Sequence, residues 1–388
     1  MQSTLVLTGA VLANASRADI VIDGELVTAV EPEGTAVREG ARVIDLAGSL
    51  LLPAFVEGHA HLDKTFLGAA WQPRVPGSTV RERVEIERAM RRSLTVPVRD
   101  RALALVEQMV GYGTGHIRSH VDIDLDLGLS GLHALLEVRE QCADRVTIQL
   151  VAFPQSGVLA DPGVAELLDA ALAEGADVVG GLDPWAFDGD VDGHLAVVFG
   201  LAEKHGAGVD IHLHDADERG LEQLAAIAGC TVAAGLQGRV SVSHAYCLGS
   251  GLDEVAQTAE LLAEANVAIM TSGPAGLMPP VKRLRAAGVT VFSGSDNIRD
   301  AWWPYGNGDM LERASMVGYQ SGFYTDEDLA VAADLVTVAG AKALGLDRYG
   351  VAPGCRADLV AVACDTLAEA VAAHPPRSLV LHGGRVIR

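Results

Sequence analysis

Between Phe55 and about Tyr349 the chain repeats one unit, a short apolar run followed by a stretch rich in Ala, Leu and Glu. The apolar runs are Phe55–Gly58, His116–Val121, Thr147–Phe153, Asp177–Gly181, Gly208–Leu213, Arg239–Ser243, Val267–Thr271 and Thr290–Ser295. Runs of that length, separated by helical periodicity, read as strands of a parallel sheet. Val164–Glu174, His194–His205, Leu221–Ala228 and Leu252–Ala265 are helices between them. Parallel strands joined by helices cross over with one hand, and eight such units favour a closed barrel over an open sheet. The expected fold class is α/β, a (β/α)8 TIM-type barrel.

A barrel of that kind takes roughly 250 residues, and this chain has 388. The surplus lies at both ends. Thr4–Leu7, Ile20–Ile22, Leu26–Val30 and Val43–Asp45 read as short strands, punctuated by Asp23-Gly24, Gly34 and Gly48. Asp358–Val362, Ser378–Leu381 and Arg385–Ile387 repeat that texture at the far end. Two β-rich tips predict one small composite β-sandwich built from both termini. The expected boundaries are residues 1–54 and 350–388 for the sandwich and 55–349 for the barrel.

Acidic residues outnumber basic ones 51 to 29, for a net charge of −22. Such a surface repels phosphate backbones and anionic lipid, so no nucleic-acid or membrane partner is expected. No segment reaches the roughly 18 uninterrupted apolar residues of a membrane span. The Leu5–Ala13 run imitates a signal peptide, but no basic residue precedes Arg17 and Thr8-Gly9 interrupts it. Five scattered cysteines form no C-x-x-C pair, which fits a reducing cytoplasm and excludes a thiolate zinc site. A homo-oligomer with a small-molecule substrate is the expected partner profile.

Polar residues gather at the C-terminal ends of the predicted strands, where barrel enzymes carry their chemistry. The first strand runs into Glu57-Gly58-His59-Ala60-His61-Leu62-Asp63-Lys64. In extended backbone His59 and His61 point the same way and can face one ion. The fifth strand ends Asp210-Ile211-His212-Leu213-His214-Asp215, the sixth Ser243-His244, and the eighth Gly294-Ser295-Asp296-Asn297. Together they form a nitrogen/oxygen donor set for Zn²⁺ or Fe²⁺ with a position open for water. His120, ending the second strand, stands behind that set. A single H-x-H pair is usually coincidence; six of twelve histidines on one barrel face are not. G-x-x-x-x-G-K-[ST], G-x-S-x-G and H-E-x-x-H are absent.

The order H-x-H, His, His, Asp on strands one, five, six and eight resembles the amidohydrolase superfamily. The cytosine deaminase branch is closer, through Phe55–Asp63, Val151–Gln155 and Asp300–Pro304. Closer still is its N-isopropylammelide isopropylaminohydrolase type, through His61–Phe66, Gly180–Pro184, His212–Asp215, Ser243–Cys247, Ser295–Asp300 and Pro304–Met310. Asp215 stands where cytosine deaminase has a proton-shuttling Glu, and Asn297 where it has a second Asp. The fourth strand ends without the lysine that bridges two metals in other members.

The resemblance implies one divalent metal ion per chain, Zn²⁺ ahead of Fe²⁺, held by His59, His61, His212 and Asp296. It implies metal-dependent hydrolysis of an exocyclic C–N bond on a nitrogen heterocycle such as an oxygenated pyrimidine or s-triazine. Asp296, His214, His244 and Asp215 are the expected catalytic groups. Lys64, Gln155, Asp183, Asn297 and Trp302 are the expected substrate contacts, with Lys64 favouring anionic rings. Trp303 is expected in the core. A cyclic-amide hydrolase and a non-catalytic scaffold are the alternatives, disfavoured by the missing lysine and the complete ligand set.

Overall fold

A computed structural model describes residues 4–273 and 277–388. Eight parallel strands form the central sheet: β6 (Phe55–Ala60), β7 (Thr114–Asp122), β8 (Thr147–Phe153), β9 (Val178–Leu182), β10 (Gly208–Leu213), β11 (Val240–His244), β12 (Ala268–Thr271) and β13 (Val291–Ser293). They pair in sequence order. The first and last meet through a parallel bridge between Ala60 and Asp296, with the Asp296 amide donating to the His59 carbonyl at 2.7 Å. Two glycines permit that closure. A Cβ on Gly58 would lie 2.5 Å from the Phe292 ring, and one on Gly294 would lie 2.4 Å from the His59 nitrogen. All eight predicted strands are present, with ends moved by a few residues. The expected TIM-type barrel is the fold.

The strands are buried on both faces, as a parallel sheet covered by helices requires. Their outer side chains and the inner faces of the helices share one core, including Leu105, Ile117, Leu150, Ile211, Leu224 and Ile269.

The termini form a second sheet from β1 (Leu5–Val11), β2 (Arg17–Asp23), β3 (Leu26–Pro32), β4 (Arg42–Asp45), β5 (Leu50–Pro53), β14 (Leu359–Val362), β15 (Arg377–His382) and β16 (Arg385–Val386). The pairing path is continuous, β16-β15-β14-β5-β1-β2-β3, with β4 parallel to β1. Leu7, Ile20, Ile22 and Leu51 from the N-terminal segment share a buried cluster with Leu359 and Leu381 from the C-terminal one. The opposite face, with Leu52, Val360 and Val380, packs on Met310, Leu311 and Ala332 of the barrel's last helices. Strand β5 was not foreseen. It follows directly from Gly48 as an unbroken Leu50-Leu51-Leu52 run and joins the two ends, which is why both tips belong to one sheet. The signal-like run at the start is β1.

Candidate active site

The ends of β6, β7, β10, β11 and β13 bring His59, His61, His120, His212, His244 and Asp296 together at one mouth of the barrel. Single donor atoms of His59, His61 and His212 lie within 4.8 Å of one another. Those of His59, His244 and Asp296 do so too, as do those of His59, His120 and Asp210. One Asp296 carboxylate oxygen stands 3.6 Å from His59 Nε2 and 3.4 Å from His61 Nε2. The backbone is strained here. Of ten non-glycine residues with positive φ among the described residues, Asp183, His244, Ala245, Asp296 and Arg299 sit at this mouth. Such conformations persist only where surrounding contacts enforce them.

His61, His120, His212 and His244 are poised as neutral donors. Burial first, then the nearby Lys64 charge, lowers His61 to about 3. Burial likewise holds His120, His212 and His244 well below the usual histidine range. His59 Nε2, His61 Nδ1, His244 Nδ1 and both nitrogens of His212 and His120 are buried with no hydrogen-bond partner among the described residues. Leaving so many polar atoms unpaired is costly unless something else satisfies them. A divalent cation would satisfy one nitrogen of each imidazole it binds, and it requires neutral imidazoles and a carboxylate. Burial would raise Asp296, but the facing imidazoles of His59 and His61 outweigh it and hold its carboxyl well down.

His59 is aimed from behind. The Ser243 hydroxyl donates to Asp210 at 2.8 Å, so it must accept from His59 Nδ1 at 2.9 Å. That fixes the proton on Nδ1 and leaves Nε2 as the lone-pair atom facing Asp296. Arg118 holds the other Asp210 oxygen at 2.9 Å.

A cavity of about 310 Å³ opens over this cluster, enough for a single-ring molecule. His61, His212, His214, His244, Asp296, Lys64, Gln155, Asn297 and Trp302 line it, with Phe153 and Leu182 as apolar wall. His214 stacks on His244, ring centroids 4.5 Å apart. Burial opposes a charge on His214, but Asp183 overcomes it and raises its pKa.

Three expected residues stand differently. Asp183 is turned to His214, accepting from its backbone amide at 2.6 Å and its Nδ1 at 2.8 Å. Asp183 does not line the cavity, and these two bonds orient the histidine. Asp215 does not line the cavity. Its carboxylate accepts from Gln223 at 2.8 Å, because the chain leaves β10 there toward the next helix. Lys64 lines the cavity but is ion-paired with Asp122 at 3.0 Å and Glu87 at 3.4 Å. Burial would discharge Lys64, but those carboxylates and Asp63 raise its pKa. It offers an N–H donor whose charge is offset nearby, which removes the reason to demand an anionic ring.

Trp303, expected in the core, lines the cavity, as do Val80, Arg83 and Tyr246. Val80 and Arg83 belong to α1 (Val80–Ser93), which follows a long excursion from β6. Its sequence signal was the capping box, Thr79 with Glu82 three residues on. Glu87, on the same helix, is buried and accepts hydrogen bonds from Gln155 at 3.2 Å and from the Trp302 indole. Asp300 is also buried. It accepts from Asn297 Nδ2 at 2.7 Å and from the Trp302 and Trp303 amides at 2.8 and 2.9 Å. Burial outweighs those bonds and raises its carboxyl to about 7.

Residues 42–388 match a family described as "Amidohydrolase family". The structure of N-isopropylammelide isopropylaminohydrolase from Burkholderia multivorans superposes with a TM-score of 0.96 at 42% identity, covering 100% of this chain and 98% of that one. The N-isopropylammelide isopropyl amidohydrolase of Pseudomonas sp. strain ADP is 32% identical over 379 residues, 95% of this chain and 93% of its own length. The 5-methylcytosine deaminase of Klebsiella pneumoniae, liganded with phosphonocytosine, superposes with a TM-score of 0.87 at 28% identity over 99% and 98% of the two chains.

Proposed function

Because this chain belongs to the amidohydrolase family, and is therefore an enzyme, we propose that it hydrolyses an exocyclic C–N bond on an oxygenated pyrimidine or s-triazine, releasing ammonia or a small alkylamine. One observation carries this: a buried cluster of unpaired neutral imidazoles and Asp296 opens into the same cavity as a charged-capable His214 held by Asp183. That juxtaposition supplies a cation site and a proton carrier on one ring-sized space.

In this reading His59, His61, His212 and Asp296 hold one divalent cation, zinc ahead of iron. When bound, such an ion lowers the pKa of a water from 15.7 to about 7. Asp296 takes the proton of the attacking water. His244, stacked on His214, orients the attack and steadies the tetrahedral intermediate. His214 delivers a proton to the departing nitrogen as the C–N bond breaks, with Asp183 keeping Nδ1 occupied and Nε2 free. Phe153 and Trp302 cover the ring, and Lys64 donates to a ring oxygen. The expected homo-oligomer, the cytoplasmic setting and the three-segment division of the chain belong to the same proposal.

The test is a panel of amino- and alkylamino-substituted pyrimidines and triazines, assayed for amine release by metal-replete protein. Turnover of at least one, abolished by chelation and restored by added metal, supports the proposal. Opening of cyclic amides with no amine-releasing activity overturns it.

A further inference from the structure

Gln155 and Asn297 line the cavity, and the orientation of each amide follows from its partner. An ionised carboxylate accepts hydrogen bonds and donates none. Glu87 receives the Gln155 Nε2 group and Asp300 receives the Asn297 Nδ2 group. Both carboxylates are buried and neither lines the cavity. Among the described residues no donor reaches Gln155 Oε1 or Asn297 Oδ1. The amino ends of both amides are thus turned into the protein, and their carbonyl oxygens are the ends left for a ligand.

We infer that Glu87 and Asp300 are specificity-determining positioning residues, which lock Gln155 and Asn297 as hydrogen-bond acceptors and so select rings carrying N–H groups. Neither touches the ligand. Beside the two acceptors stands one donor, Lys64, itself tied to Glu87. The complementary ring edge alternates N–H with C=O, the pattern of a cyclic imide or lactam. A ring whose nitrogens are alkylated or lack hydrogen leaves a desolvated carbonyl unpaired, the costly side of hydrogen-bond exchange. This inference rests on the reading that the cavity receives a heterocycle, and adds which hydrogen-bond pattern it must show.

The Asp300 lock has a sharp chemical consequence. Asp300 Oδ1 accepts two backbone amides, so in Asp300→Asn the oxygen must stay there. The new NH2 then faces Asn297 and forces that amide to turn its own NH2 into the cavity. Glu87→Met removes the acceptor that holds Gln155. Glu87→Gln keeps one oxygen for Gln155 and Trp302 and serves as the conservative rescue.

The experiment measures binding of uracil and 1,3-dimethyluracil to metal-replete protein by calorimetry at pH 8.5, where both carboxylates are ionised. Neither probe has an exocyclic amine to lose, so the readout does not depend on turnover. Wild type should bind uracil at least about tenfold more tightly than its dimethyl analogue. Asp300→Asn and Glu87→Met should bring that ratio toward one with metal content unchanged, while Glu87→Gln preserves most of it. A wild-type ratio near one, or no uracil binding, overturns the inference. A ratio retained in folded Asp300→Asn and Glu87→Met also overturns it, since bulk alone would then explain the preference. Should those variants fail to fold, Gln155→Met must lower the ratio, and its failure to do so is equally fatal. Absence of amine release from the earlier panel, with the uracil preference intact, overturns the proposed reaction and leaves this inference standing.

Discussion

At the scale of single residues, chemistry is divided between side chains that face the cavity and side chains that aim them. His214 faces it and Asp183 aims it through two hydrogen bonds. Removing a general acid/base costs about 10²–10⁴ in rate. His214→Ala should lose that much kcat in steady-state assays while keeping its metal by elemental analysis. Near-normal kcat would move the proton transfer elsewhere, though not to Asp215, which is turned away. His61→Ala should lose both ion and activity, because its nitrogen is one of three imidazole donors within a single ion's reach. The donors were legible in sequence because H-x-H in extended backbone has only one geometry. The job of Asp183 was not. Its pairing with His214 crosses from β9 to β10 and depends on a left-handed backbone at Asp183 that no local pattern announces.

At the scale of elements, the site depends on how the last strand meets the first. Gly294 brings β13 against the His59 backbone, and a Cβ there has no flexible neighbour to displace. Gly294→Ala should therefore destabilise the fold by about 1–3 kcal/mol in denaturant titration. It should weaken metal binding more than a surface Gly200→Ala, whose Cβ meets nothing; equal metal affinity in the two would detach closure from the site. The barrel strands were readable because each is a short apolar run between helical periods. Strand β5 was hidden by its position, since Leu50–Pro53 runs almost directly into β6 at Phe55. Helix α1 was hidden by composition. It is rich in Arg and Glu, and only Val84 and Glu87 are buried, so the apolar stripe on the face that covers the cavity is reduced to Val80 and Val84. Its one buried charge points inward because Lys64, Gln155 and Trp302 are there to meet it, a tertiary fact invisible in the local sequence.

At the scale of the whole molecule, the terminal sheet is fastened to the barrel base through Asp358. Its carboxylate lies 3.4 Å from His116 on β7 and accepts the Gly383 amide at 2.6 Å. Burial would raise it, but His116, His382 and that amide hold it at about 2. A carboxyl depressed in the folded state stabilises the fold above its ordinary value near 4, and that contribution is lost as pH falls toward 2. Asp358→Asn should thus be about 2 kcal/mol less stable near neutral pH, with the difference shrinking toward pH 2. A difference independent of pH would contradict that linkage. Distance from the mouth predicts normal metal content in this variant, which separates the support from the site. That site is the central claim: one divalent ion, held by His59, His61, His212 and Asp296, driving release of an amine from a heterocycle. The most direct measurement is metal titration of the chelated protein with amine release followed at each point. Activity should rise linearly and saturate at one equivalent per chain, whereas saturation at two equivalents, or amine release with no metal bound, would contradict it.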